Sequence, residues 1–229
     1  MSKEFKGVLI DFDNTLYDYD PCHNAALKRS SQYCLENLDI SLIDFHSAYQ
    51  KSRKLVNLSL KGTAASHNRL IYFQRLLESL SINSMEHSLN IYNVYWNTYL
   101  DEMKFSDGAE ELLKSFGNRK VCLITDLTAH IQHRKIKRLK LFQYADHLVT
   151  SEEAGAEKPD KAIFSMALEK MNTVQQETCI IGDNYEKDIV GAINMGIKSF
   201  WLNKTHRQVP SHPLVKEFTE FNQIINIFL

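Results

Sequence analysis

Apolar positions along this chain follow two patterns. Short unbroken runs, among them Val8 to Ile10, Val121 to Ile124 and Thr178 to Ile181, have the length and composition of strands buried on both faces of a parallel sheet. Mixed runs at His147 to Thr150 and Lys198 to Leu202 predict two further strands. Between them the period changes to that of a helix. Ser106-Asp107 followed by Glu110 predicts a helix N-terminus leading into Leu112, Leu113 and Phe116, and Gly117-Asn118 predicts its stop. More helices are predicted from about Ala129 to Leu139, through Ile163, Phe164, Ala167 and Leu168, and through Ile189, Ala192 and Ile193 up to Gly196. Strands and helices alternating at this length predict an α/β fold with a mostly parallel sheet covered on both faces. The tail after Pro213 reads as a terminal helix.

From about Pro21 to Tyr99 the rhythm is different. Ala25, Ala26, Leu27, Tyr33 and Leu35 predict one amphipathic helix, and Leu70, Ile71, Phe73, Leu76, Leu77 and Leu80 a second. Ile91, Val94, Tyr95 and Tyr99 predict a third. No strand-like run interrupts them, so an all-helical insertion is expected. The expected organisation is an α/β core from residues 1–17 and 103–229, with a helical domain over 18–102.

Composition narrows the partners. A chain of 229 residues with 44% hydrophobic content can bury a sizeable core. A formal net charge of -1 gives no electrostatic case for a nucleic-acid polymer or an anionic membrane. No apolar run reaches the roughly 18 residues of a membrane span, and no basic leader precedes an apolar segment, so a cytoplasmic protein is expected. Cys22, Cys34, Cys122 and Cys179 lack metal-site or CxxC spacing.

The residues that close the apolar runs carry the chemistry. Asp11 and Asp13 end the first, Thr125-Asp126 the second, and Asp183 the run from Thr178, with Asp188 soon after; Lys158 lies in the polar loop from Ser151 to Asp160. In open α/β sheets ligands bind beyond the carboxyl ends of the strands. Several carboxylates gathered there would take up protons unless a cation sat among them. All-oxygen ligation suits Mg²⁺, while a lysine, a threonine hydroxyl and turn N–H groups suit a phosphoryl group. A metal-assisted phosphate site is expected.

In order, the stretches DFDNTLYD, ITD, EKPD and GDNYEKD resemble the four motifs of the haloacid dehalogenase superfamily in its capped phosphatase branch, and the helical insertion resembles that family's helical (C1-type) cap. The resemblance implies a Rossmann-like three-layer sandwich with an inserted cap, Mg²⁺ as cofactor and a small phosphate monoester as substrate. It implies that Asp11 is the nucleophile that forms an aspartyl-phosphate, and a ligand of the metal. Asp13 would be the acid that protonates the leaving oxygen and later activates water, its backbone carbonyl serving the metal. Thr125 and Lys158 would bind the phosphoryl group, Asp183 the metal, and Asp188 the metal site or its surroundings. Asp126, the remaining phosphate-loop candidate, stands where relatives often carry Asn or Gly. A carboxylate aimed at phosphate is repulsive, so its side chain is expected to face away or to accept a hydrogen bond from a neighbouring loop.

Asp13 separates reaction classes: a halide leaves without a proton, whereas an alkoxide needs one, which disfavours dehalogenation. Tyr17, Arg69 and Tyr72 are the candidate substrate contacts, with His67, Tyr95 and Trp96 behind them; aromatic core and a solvated arginine are the structural alternatives. His130 and His133 share a predicted helix with Arg134, Lys135, Lys137 and Arg138, which reads as a charged solvent face. The sequence style is similar to pyrimidine 5′-nucleotidases and sugar-phosphate phosphatases. A phosphotransferase of the sugar-phosphate mutase kind, or a non-catalytic binding member, are the alternatives to a phosphatase.

Overall fold

The computed structural model describes residues 5–229. Its residue contacts divide the chain into two compact units, one running up to Asp18 and resuming from Lys104 to Leu229, the other comprising Tyr19–Met103. Residues 1–4 of the expected core lie outside the described residues.

The first unit begins with β1 (Gly7–Asp11), all of whose residues are buried. The second unit follows as four helices: α1 (Tyr19–Leu38), α2 (Leu42–Ser59), α3 (Arg69–Ser79) and α4 (Ser84–Glu102), with a 3₁₀ turn at Ala64–His67. Ser41, Asn68 and Asn83 start α2, α3 and α4 by accepting the backbone N–H of Asp44, Leu70 and Met85, the standard way of satisfying orphan donors of a first turn. Its interior is aromatic: Phe45, Tyr49, Phe73, Tyr95, Trp96 and Tyr99 are buried, and pairs such as Tyr95 with Trp96 meet edge to face, the arrangement the ring quadrupoles favour. The sequence pattern predicted only three helices here. It missed α2, which carries apolar residues outward (Ile43, Leu55, Leu58) as well as inward (Phe45, Tyr49, Val56), so no single stripe marks it.

The first unit then continues through α5 (Ala109–Ser115), β2 (Lys120–Thr125), α6 (Ala129–Leu139), β3 (His147–Thr150), the single turn α7 (Ser151–Ala154) and α8 (Lys161–Met171). After these come β4 (Thr178–Gly182), a π-helical turn at Tyr185–Ile189, α9 (Val190–Asn194), β5 (Lys198–Leu202), β6 (Val215–Phe218) and α10 (Asn222–Ile225). The strands form one sheet in the order β3-β2-β1-β4-β5-β6, parallel at every pairing. Leu9, Cys122, Ile124 and Ile180 pack with Phe164, Ala167 and Leu168 of α8 on one face. Val8, Ile10, Leu123 and Ile181, which point the other way, are equally excluded from water. The expected Rossmann-like sandwich is therefore the observed one.

The tail is a correction. After Pro213 the chain adds β6 as a sixth, edge strand and only one helical turn. Val215-Lys216-Glu217-Phe218 buries Phe218 and leaves Lys216 and Glu217 exposed, a charged edge of the kind that blocks further strand pairing. Among the described residues no helix is long and apolar enough to cross a membrane.

Candidate active site

Strand order locates the site. The chain builds outward from β1 through β2 to β3, then returns to the other side of β1 for β4, β5 and β6. Strand ends on either side of such a reversal leave a crevice at their carboxyl edge. Register makes those ends level: Asp11 pairs with Ile124, and Ile10 with Ile181. Asp11, Thr125 and Asp183 thus emerge together from β1, β2 and β4.

Lys158 joins the carboxylates. Lys158 is 4% exposed, and its ammonium lies 2.5 Å from Asp11 Oδ1 and 2.7 Å from Asp188 Oδ1. Burial works against this charge, but Asp11 and Asp188 hold its pKa well above the usual lysine value. Asp188 is wholly buried; its Oδ2 accepts the Asn184 N–H at 3.0 Å. Gly182 makes room for it, since a Cβ there would sit 2.5 Å from Asp188 Oδ2. Asp183 is half-buried, and its backbone carbonyl accepts the Trp201 indole N–H at 2.9 Å.

Asp11, Asp183 and Asp188 each place an oxygen within 4.8 Å of the others. Burial, followed by Asp188, pushes the Asp11 carboxyl up to about 7; burial, followed by Asp11, pushes Asp183 up to about 6. One ammonium among three carboxylates leaves an excess of negative charge on an all-oxygen donor set. That set fits a hard divalent cation such as Mg²⁺. Asp183 is the most exposed of the three, whereas Asp11 and Asp188 are buried and Asp188 lies against Lys158 and the Asn184 N–H.

Asp13 lies in a separate arrangement. Its Oδ1 accepts the Lys135 ammonium at 2.5 Å and the Tyr17 hydroxyl. Its Oδ2 accepts Gln132 Nε2 at 2.9 Å, with Thr125 Oγ1 at 3.4 Å. Burial opposes ionisation, but Lys135, with Tyr17 and Gln132, outweighs it and holds the carboxyl down at about 2. Gln132 Nε2 also donates to Thr125 Oγ1 at 2.6 Å.

Asp126 is accounted for by the loop after β3. Its Oδ1 accepts the Lys158 backbone N–H at 2.9 Å, and its Oδ2 pairs with Lys187 Nζ at 2.8 Å. The carboxylate anchors the lysine loop, which is the hydrogen bond from a neighbouring loop expected of a side chain that a phosphate would repel. Tyr17, a candidate substrate contact, instead donates to Asp13. Arg69 and Tyr72 are engaged inside the helical unit. The Arg69 guanidinium lies 5.6 Å from the Tyr72 ring centroid and 5.8 Å from that of Trp96, and donates to Tyr19 Oη at 2.5 Å and His67 O at 2.6 Å. Tyr72 Oη lies 2.5 Å from both Asn57 Oδ1 and Ser66 O. The solvated arginine expected as the alternative is thus a buried one. His130 and His133 are exposed.

Four site residues escaped the sequence reading. Thr15, wholly buried, lies 2.8 Å from Asp11 Oδ2 and accepts the Asp183 N–H at 3.1 Å; Asn14 donates to Asp183 Oδ2 at 2.7 Å. Both lie in the turn after β1, where no pattern in the sequence sets them apart. Gln132 is wholly buried and Lys135 is 1% exposed, although Lys135 had read as part of a solvent face. A signal was present: Ile131, Lys135 and Leu139 stand at i, i+4 and i+8, a buried series with a lysine at its centre.

Residues 8–202 match the family model described as haloacid dehalogenase-like hydrolase. The chain is 38% identical to the ribulose-1,5-bisphosphate 5-phosphatase of Halopiger xanaduensis over 84% of this chain and 82% of that protein. It is 42% identical to the pyrimidine 5′-nucleotidase YjjG of Escherichia coli over 45% of this chain and 47% of that one. Among solved structures, the HAD-hydrolase YfnB of Bacillus subtilis, bound to magnesium, superposes with a TM-score of 0.73 at 21% identity over 99% of both chains.

Proposed function

Because the chain belongs to the haloacid dehalogenase-like hydrolase family, we propose that the crevice at the ends of β1, β2 and β4 hydrolyses a small phosphate monoester, with Mg²⁺ held by Asp11 and Asp183, the Asp13 carbonyl contributing and Asp188 buttressing them through Lys158. The observation that carries this is the Asp11 carboxylate itself. It is fixed between the buried Lys158 ammonium at 2.5 Å and the Thr15 hydroxyl at 2.8 Å, at the rim of an uncompensated acidic cluster.

Asp11 is the nucleophile, and its attack on phosphorus gives an aspartyl-phosphate that water then cleaves. When bound, the metal ion offsets charge on the phosphoryl oxygens. Lys158 favours the ionised form of Asp11 against burial and opposes charge building on the transferring group. Thr125, whose oxygen accepts from Gln132, offers its own hydroxyl hydrogen to a phosphoryl oxygen. Asp13 gives a proton to the leaving oxygen and takes one from the attacking water. In the substrate-free chain it is ionised, the form that serves as base for the second step. The negative charge of an incoming phosphate favours its protonated form for the first.

The relatives point to the substrate class: a sugar phosphate or a nucleoside 5′-monophosphate, selected by the helical unit acting as a cap. A panel of such esters, assayed for phosphate release with Mg²⁺ and with EDTA, tests this. Turnover that requires Mg²⁺ and disappears in Asp11→Asn is expected. Full activity of Asp11→Asn would exclude the mechanism, and phosphate passed to an added sugar acceptor in place of water would indicate a mutase.

A further inference from the structure

We infer that Lys135 and Gln132 are positioning residues for proton transfer, holding the Asp13 carboxylate in the orientation from which it serves the leaving oxygen; this rests on the proposal that Asp13 is the general acid. A carboxylate on a short side chain has two torsions to fix, and a misplacement of about 1 Å at a reacting centre costs on the order of 10²-fold in rate. Asp13 keeps 26% of its side chain exposed, so packing alone does not fix it. The donors do. Lys135 holds one oxygen at 2.5 Å and Gln132 the other at 2.9 Å, and both stand on α6, the helix that follows Thr125.

The anchor itself is rigid. Lys135 is 1% exposed, and its ammonium stands 5.8 Å from the ring centroids of both Phe12 and Tyr17. Tyr17 in turn donates to the same Asp13 oxygen. A buried ammonium is costly unless paired, and the partner that satisfies this one is the side chain proposed to move the proton. Gln132 uses its two amide hydrogens on Asp13 Oδ2 and Thr125 Oγ1. It thereby ties the acid to the hydroxyl at the end of β2.

A structural role and a positioning role are separated by the leaving group. A nitrophenyl phosphate expels an anion stable at neutral pH and has little need of an acid, whereas an alkyl phosphate expels an alkoxide and depends on one. The comparison uses kcat/KM, which covers the steps up to departure of the leaving group, measured on the full chain with saturating Mg²⁺ and with folding checked by circular dichroism. In Lys135→Met and Gln132→Met the alkyl ester is expected to lose about 10- to 100-fold more kcat/KM than the nitrophenyl ester, with partial recovery in Lys135→Arg. Asp13→Asn should show the same selectivity more strongly. If Asp13→Asn is selective but Lys135→Met and Gln132→Met lower both esters equally, or neither, the positioning inference is overturned and the general acid stands. If Asp13→Asn is itself unselective, the general-acid proposal fails and the inference with it. Should Lys135→Met not fold, Gln132→Met, which strands no charge, decides.

Discussion

Replacing Lys158 by methionine is the sharpest test of why three carboxylates can share this crevice. Methionine keeps most of the stem's volume and removes the ammonium that lies 2.5 Å from Asp11 and 2.7 Å from Asp188. Removing one partner of a buried ion pair costs about 3–5 kcal/mol, because the other charge is left stranded. Carboxylates can escape that penalty by taking up protons, so the cost must depend on pH. The direction follows from Asp11, whose pKa in the folded chain is about 7 against a usual 3.8. A carboxyl raised in this way binds its proton more tightly folded than unfolded. Its contribution to stability is fully present below the unfolded value and is lost as pH rises through about 7. Lys158 lowers the pKa of both Asp11 and Asp188, so deleting it carries that loss to higher pH and deepens it.

Urea unfolding of EDTA-treated protein, followed by circular dichroism, reads the effect. At about pH 8 the Lys158→Met chain is expected to lose the full ~3–5 kcal/mol, or roughly 6–20 °C in melting temperature for a chain of this length. At about pH 5, with the acids protonated, it should lose a clearly smaller amount. Saturating Mg²⁺ at the higher pH should recover part of the difference, since a cation that binds only the folded state stabilises it. An equal loss at the two pH values, or a variant more stable than the parent at about pH 8, would refute the charge-compensation reasoning.

Gly182→Ala places a methyl group 2.5 Å from Asp188 Oδ2 and 2.7 Å from its Cγ. Displacement of that carboxylate should lower Mg²⁺ affinity about 10- to 100-fold, and a calorimetric titration matching the parent would show that Asp188 does not support the metal. Asp126→Ala removes the acceptor of the Lys158 backbone N–H and the partner of Lys187. A loss of about 1–3 kcal/mol is expected, with faster hydrogen exchange at the Lys158 amide; unchanged exchange would mean that the loop is fixed by other contacts. Binding of Mg²⁺ at about pH 6 should release protons, because Asp11 and Asp183 titrate near about 7 and 6 in the metal-free chain. The apparent binding enthalpy should therefore vary with the ionisation enthalpy of the buffer, and an enthalpy independent of buffer would contradict it.

The strands of this fold were legible because β1, β2 and β4 are buried on both faces, so their apolar runs are unbroken and their polar ends stand out. That same property brought Asp11, Thr125 and Asp183 to notice. Lys158 was noticed as the lysine of the polar loop after β3 and given its role by resemblance to a family motif, but its burial was not legible, since a lysine in a polar loop carries no local mark of burial. Thr15 and Asn14 were hidden by the commonness of threonine and asparagine in turns. Their importance arises only when β4 brings the Asp183 carboxylate alongside. Strand β6 was missed for a related reason. Edge strands are short and keep charges outward, and Val215-Lys216-Glu217-Phe218 offers only its two ends as apolar signal.

Helix α6 shows why a charged face cannot be assigned from composition alone. Arg134, Lys137 and Arg138 surround Lys135 in sequence and suggest one solvated surface, yet successive residues on a helix are about 100° apart and do not share a face. Lys135 falls between Ile131 and Leu139 on the buried side. A lysine in that position has three physical outcomes: its end reaches water, it loses its proton, or an acid meets it inside. The first is excluded by its 1% exposure. The third requires a carboxylate that the helix itself does not supply, because α6 contains none. The strands beside β2 are β1, which ends in Asp11 and leads into Asp13, and β3, which leads into Glu152 and Glu153. The helical period, the burial of Lys135 and the order of strands thus direct attention to the acids at these two strand ends. Lys158 takes Asp11, Lys170 takes Glu153 and the Ala129 N–H takes Glu152, and Asp13 remains for Lys135.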